Sequence, residues 1–181
     1  MHRYILTGTP GSGKTALLRA LEVRGHAVVE EAATDVIALE HARGIVEPWT
    51  APKFIADILA LQQQRCNAAT APLQIHDRSP VCTVALARHL GFAEPEVDLS
   101  PFAKTVFFVR NLGHVEKTAA RRIAFAEALA FEKTHEEVYR ELGLDLVEIV
   151  PACVEARADM VERFVELFNQ TRHGRACPGH P

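Results

Sequence analysis

The sequence predicts an α/β fold, a five-stranded parallel sheet with helices on both faces. Five short strand-like runs alternate with helical sequence, the pattern of βαβ units. A glycine-rich string stands between the first strand and the first helix. The ends of strands one, two and three all carry polar residues, where open α/β sheets bind their ligands.

Taken in order, Tyr4–Thr7 is a short apolar run stopped by Gly8 and reads as a buried strand. Residues Thr15 to Arg24 are helical, with Gly25 as the stop. Ala27–Val29 is the second strand, and a helix from Ala32 to Ala42 ends at Gly44. A turn containing Pro48 and Trp49 leads into a longer helix over Lys53–Ala69. Leu73–Asp77 is the third strand, Val81–Leu90 a helix ended by Gly91, and 92–101 a loop with Pro95 and several acids. Lys104–Val109 is β-branched and aromatic, the most strand-like segment of the chain. Helical sequence then runs from about Glu116 to Leu142, and Asp145–Val150 is the fifth strand. Val154, Ala158, Val161, Val165 and Phe168 recur at helical spacing, a core-packing stripe. Past Asn169 the periodicity stops, so a domain over 1–169 and a disordered tail over 170–181 are expected.

A chain of 181 residues is long enough for one domain with a real core. Its net charge of −3 argues against a basic footprint for nucleic acid or an anionic membrane. No apolar run reaches the roughly 18 residues a bilayer span needs, and the phosphate-binding string begins too early to leave room for a signal peptide. Cys66, Cys82, Cys153 and Cys177 are scattered without metal spacing, which fits reduced thiols in the cytoplasm.

Residues Gly8, Thr9, Pro10, Gly11, Ser12, Gly13, Lys14 and Thr15 match GxxxxGK[ST] in full, between a strand and a helix. The glycines let successive backbone N–H groups converge on one anion, and the helix start adds free N–H groups and a positive dipole end. Lys14 is expected to reach the β- and γ-phosphates, and the Thr15 hydroxyl to ligate Mg²⁺. Asp77 ends strand three, where P-loop proteins place the acid that holds Mg²⁺ directly or through water. Arg78 beside it can reach a phosphoryl group, and Ser79 before Pro80 can cap the next helix. Glu30 and Glu31 leave strand two at the same sheet edge, and one of them, Glu31 in preference, could accept the proton of an attacking hydroxyl. Arg110, Arg121 and Arg122 form a candidate lid over about 110–122 with Gly113 as a hinge, bringing guanidinium charge to a phosphoryl group. Trp49 and Phe54 are available to stack on a base, although core packing is the commoner use of such residues.

GTPGSGKT, VVEEAATDVI, HDRSP and FFVRNLG…TAARRI together resemble the small bacterial AAA family ATPases of the NadR/Ttd-like P-loop group, over roughly residues 3 to 168. That group is similar to nucleoside and nucleotide kinases, including nicotinamide riboside kinase and the deoxynucleoside kinases. The resemblance implies ATP as the nucleotide and Glu31 as base. It also implies an acidic-Arg-Ser element at Asp77-Arg78-Ser79 and lid arginines near Arg121 and Arg122. The chain departs from the deoxynucleoside kinases in having Asp77 where they carry Glu, and no Pro after Glu31.

Two functions are carried forward from these residues. One is an ATP- and Mg²⁺-dependent phosphotransferase on a small nucleoside, nucleotide or related acceptor, working as a monomer or homodimer. The other is an ATPase/GTPase-type switch whose bound nucleotide controls a protein or lipid partner. No N-K-x-D string reads guanine, and no second helical domain marks an oligomeric motor.

Overall fold

Tyr4, Ile5 and Leu6 are each fully buried, because the strand that holds them, β1 (His2–Thr7), is the middle strand of the sheet. The computed structural model describes residues 1–8, 10–112 and 125–173. In chain order the elements are β1, α1 (Lys14–Val23), β2 (Ala27–Val29), α2 (Ala33–Ala42), a 3₁₀ turn at Pro48–Thr50, and α3 (Lys53–Ala68). They continue with β3 (Leu73–Asp77), α4 (Pro80–Leu90), β4 (Thr105–Val109), α5 (Phe125–Glu141), β5 (Asp145–Ile149) and α6 (Val154–His173). The sheet order is β2-β3-β1-β4-β5 and every pairing is parallel.

The pleat divides the apolar residues between two layers. Tyr4, Leu6, Ile75, Phe107 and Val109 face one side and pack on Leu17, Leu18 and Leu21 of α1 and on Ala158, Val161 and Val165 of α6. Ile5 and Val106 face the other side and pack on Val81, Val84 and Ala85 of α4 and Val138 and Tyr139 of α5. A third cluster joins α2, α3 and α4 through Val36, Phe54, Ile55, Ile58 and Ala87. Each fully buried leucine contributes about 2 kcal/mol, so β1 and α1 together anchor the phosphate-binding string from both ends.

The predicted elements are present among the described residues, with small shifts; the start of the helix expected from about Glu116 lies outside them, and α5 is described from Phe125. α1 begins at Lys14 rather than Thr15, β1 reaches back to His2, and α4 takes in Pro80 as its first residue. Gly25, Gly44 and Gly91 follow their helices with φ of 95°, 85° and 74°, which is why glycine serves as the stop there. Residues 92–101 carry no helix or strand, as expected, and Val97 and Leu99 pack on the α4–α5 layer. One boundary moves: α6 continues to His173, past Asn169, where irregular chain was expected from residue 170. Lost apolar periodicity does not end a helix when no glycine or proline follows until Gly174.

Candidate active site

Register sets the site. Leu6 pairs with Asp77 and Val29 with His76, so β1, β3 and β2 end level with one another. The Arg78 N–H bonds the Leu6 carbonyl at 2.9 Å, which carries the pairing one residue past the strand. Gly8, Asp77-Arg78 and Glu30-Glu31 therefore leave the sheet side by side. β1 lies between β3 and β4, so the chain leaving β1 heads for one edge and the chain leaving β3 for the other. That reversal is where open α/β sheets form a crevice.

Gly8 has φ 141°, and a Cβ there would sit 2.3 Å from the Val109 carbonyl oxygen. No other residue allows the turn to pass that close to β4. Gly11 and Gly13 follow with φ 89° and 78°. No side chain caps the N-terminus of α1 and no acid stands in its first turn, so its N–H groups and dipole face the string alone. Lys14, the first residue of α1, is buried; burial with Arg78 beside it lowers its ammonium to about 8, against the pull of Asp77 and Glu31. An ammonium held in that way gains when polyphosphate arrives.

Arg78 takes φ 67°, the one positive φ at a non-glycine residue among the described residues. Such strain persists where surroundings over-determine it. Here its Nε donates to Glu31 Oε2 at 2.6 Å and its Nη1 lies 3.4 Å from Nε2 of His135. Burial opposes the Arg78 charge most, but Glu31, Cys82 and Asp77 together outweigh it and keep the guanidinium firmly protonated. Glu31 also accepts from the Thr34 hydroxyl at 2.6 Å. Burial pushes its carboxyl up, yet Arg78 and Lys14 dominate and hold it at about 2. Asp77 goes the other way: burial, with Glu31 nearby, raises it to about 6 although Lys14 pulls it down. Its Oδ1 is buried with no hydrogen-bond partner, and Thr15 is exposed in the first turn of α1. Ser79 caps α4, its Oγ accepting from the Val81 N–H at 3.2 Å, and Pro80 follows as expected.

A family model described as an AAA domain matches residues 3–157. The chain belongs to that family. No protein of curated function matches this AAA-domain chain in sequence. In three dimensions it is similar to deoxyadenosine kinase from M. mycoides with bound dATP, with TM-score 0.64, 14% identity, and coverage of 92% of this chain and 100% of that one. The same kinase with bound dCTP gives TM-score 0.64, 15% identity, and coverage of 92% and 99%. Shikimate kinase from Acinetobacter baumannii in complex with shikimate gives TM-score 0.57, 16% identity, and coverage of 94% of each chain. At those identities the likeness establishes the fold, that of P-loop kinases.

Of the predicted site residues, the AAA-domain fold brings Gly8, Gly11, Ser12, Gly13, Lys14, Thr15, Glu31, Asp77 and Arg78 to one sheet edge. Glu30 turns aside to an ion pair with Arg19. Arg110 departs from its expected place in a lid. Its guanidinium pairs with Glu132, Glu136 and Glu148 and lies 4.7 Å over the Phe108 ring, cross-bracing α5 to the end of the sheet. A side chain held by three carboxylates is not free to sweep over a phosphoryl group. Thr9, Gly113, Arg121 and Arg122 lie outside the described residues. Phe54 is a core residue, and Trp49 packs on the same α2–α3 cluster with its ring against His41, which is the core use of both.

Four contributors were missed. His135 is fully buried on α5, with Nδ1–H directed at the Phe131 carbonyl at 3.1 Å, which leaves Nε2 to accept from Arg78. Burial and the Arg78 charge hold it neutral, well below the usual histidine range. Gln62 and Arg65 of α3 grip the backbone of 30–32: the Gln62 Oε1 accepts from the Ala32 N–H at 3.0 Å, and Arg65 donates to the Glu31 carbonyl. Arg157 of α6 donates to the Ser12 carbonyl at 2.8 Å. The available signals were polar residues on apolar helix faces: Phe131, His135 and Tyr139 are spaced by four, and Arg157 stands between Val154 and Val161 on the predicted stripe.

Proposed function

We propose that this AAA-domain protein is an ATP-dependent phosphotransferase acting on a small nucleoside- or nucleotide-like acceptor in the cytoplasm. The observation that carries the reading is the grouping at one sheet edge of two cations, Lys14 and Arg78, with two carboxylates in unlike surroundings. Glu31 is bonded to Arg78 at 2.6 Å and Asp77 has a buried, unpartnered oxygen, which pushes the pair apart to about 2 and about 6. Such a separation of paired carboxylates marks a division of labour at phosphoryl- and proton-transfer sites. The fold shared with deoxyadenosine kinase and shikimate kinase supports the same reading.

The string from Gly8 to Thr15 cradles the phosphates of ATP, with Lys14 on the β- and γ-groups. The residues present fit Mg²⁺: Asp77 Oδ1 is a buried acceptor without a partner, and Thr15, in the first turn of α1, is exposed. Among the described residues no three acids, histidines or cysteines cluster into a complete metal cage. That accords with a cation held by one carboxylate, one hydroxyl and the nucleotide's own oxygens. A Mg²⁺ held by Asp77 and Thr15 would supply neutralisation of the charge on the nucleotide's phosphates. Glu31, ionised and aimed by Arg78 and Thr34, orients the acceptor hydroxyl; a carboxylate held near 2 is a weak base, and a loose transition state asks little of one. Arg78 carries charge from that pair toward the transferred group, and Arg121 and Arg122 add guanidinium charge from the lid. The acceptor pocket lies beside Glu31, bounded by α2 and α3.

The test follows the γ-phosphate of Mg·ATP against a panel of nucleosides, nucleotides and nicotinamide riboside. Acceptor-dependent ADP release, reduced at least about a hundredfold by Lys14→Met, is the expected result. Tight ATP binding with no acceptor-dependent turnover would instead favour a nucleotide-controlled switch.

A further inference from the structure

Arg157 enters the phosphate-binding string from behind. Its side chain is 4% exposed, its Nη1 donates to the Ser12 carbonyl at 2.8 Å, and its Nε is buried without an acceptor. The Nη1–Nη2 edge of the guanidinium faces Gly13, where a Cβ would be 2.9 Å from Nη2 and 3.0 Å from Nη1. Among the described residues no carboxylate forms an ion pair with it, and burial lowers its affinity for its proton. A neutral donor could brace a carbonyl equally well. A buried cation with no counter-charge weakens the fold that contains it unless another anion completes the site.

The Ser12–Gly13 peptide is trans, so its C=O and N–H point to opposite sides. With the carbonyl fixed on Arg157 of α6, the Gly13 N–H is turned the other way, away from the guanidinium. Resting on the reading that the string holds a nucleotide's phosphates, we infer that Arg157 is a positioning residue: it locks the Ser12–Gly13 peptide with its N–H aimed at the bound polyphosphate and sets an uncompensated positive charge behind it. Nucleotide binding then supplies the missing anion, and α6 is coupled to occupancy of the string. A side chain at Gly13 would be strained by its φ of 78° and would push the guanidinium aside.

The experiment compares wild type, Arg157→Met, Arg157→Lys and Lys14→Met by calorimetric titration with Mg·ADP, alongside melting temperature without nucleotide and the ¹H–¹⁵N signal of the Gly13 amide. Arg157→Met keeps the aliphatic stem and removes the charge. It should weaken Mg·ADP binding at least tenfold, abolish the downfield shift of the Gly13 amide on binding, and leave the nucleotide-free melting temperature unchanged or higher. Arg157→Lys, which retains a donor and a charge, should recover most of the affinity. Arg157→Met that binds Mg·ADP like wild type, or that loses affinity and melting temperature together with no rescue by lysine, overturns the inference while the phosphate-loop reading stands. Wild type that fails to bind Mg·ADP at all, like Lys14→Met, overturns both.

Discussion

At the scale of single residues the site is a matter of where charge is allowed to sit. Glu31, half-buried, and Asp77, buried, stand at one sheet edge, yet only Glu31 is hydrogen-bonded to a guanidinium, and that contact helps hold it far below Asp77. Glu31→Gln should therefore cut acceptor-dependent turnover by about a hundredfold while Mg·ATP affinity stays within about threefold, since glutamine keeps the shape and loses the charge. Steady-state kinetics with direct titration check it; an equal fall in both quantities would assign Glu31 to nucleotide binding instead. Arg78→Lys should be nearly as damaging, because one ammonium cannot reach both Glu31 and His135 in the fork geometry of a guanidinium. Gly8→Ala belongs to the same scale. Its Cβ would meet the Val109 carbonyl at 2.3 Å, and backbone cannot give way as a side-chain tip can. A loss of about 3 kcal/mol in urea unfolding, with nucleotide binding abolished, is expected.

At the scale of elements, helix starts do two different jobs. α1 begins on Gly13 with no side-chain cap and no acid in its first turn, and it is the helix offered to phosphate. α4 begins on Ser79, whose hydroxyl satisfies the Val81 N–H, and Pro80 presets its first turn. Ser79→Ala should cost about 1 kcal/mol in chemical unfolding without changing Mg·ADP affinity; a change in affinity would mean that the cap also positions Arg78 next to it. α5 contributes through one face, where His135 sits on Phe131 and Tyr139 and meets Arg78 at its tip. α3 holds the backbone after β2 through Gln62 and Arg65, so Glu31 is aimed by an element that carries none of the chemistry.

At the scale of the whole molecule, pH stability tests how the layers close over that site. His135 is faced by Arg78, Lys14, His89 and the Phe131 carbonyl, and it stays neutral in the folded protein. Its folded pKa lies below the unfolded value of about 6.5, so the unfolded chain binds the extra proton. The stability it contributes is complete above about pH 6.5 and declines as pH falls below that. His135→Gln should remove that decline, and the difference between variant and wild type in urea unfolding across that range measures it. Parallel curves would place the titration elsewhere.

The strands β2 and β3, the helix stops at Gly25, Gly44 and Gly91, the capped start at Ser79 and the phosphate-binding string were all legible in the sequence. Each depends on short-range physics: apolar runs, dihedral freedom and hydrogen bonds within a few residues. Arg110 was misread as a lid residue because its three carboxylate partners lie on α5 and β5, far along the chain. His135, Gln62 and Arg157 went unseen for the same reason, their partners being Arg78, the backbone of 30–32 and Ser12. By itself the sequence determined the elements, their order along the chain and a loop shaped for phosphate. The tertiary structure alone decided that β1 lies between β3 and β4, that Glu31 and Arg78 meet while Asp77 keeps an unpaired oxygen, and that an arginine from the last helix stands behind the loop. Local propensity is written over a few residues, whereas a pKa or an ion pair is set by burial and by distance across the fold.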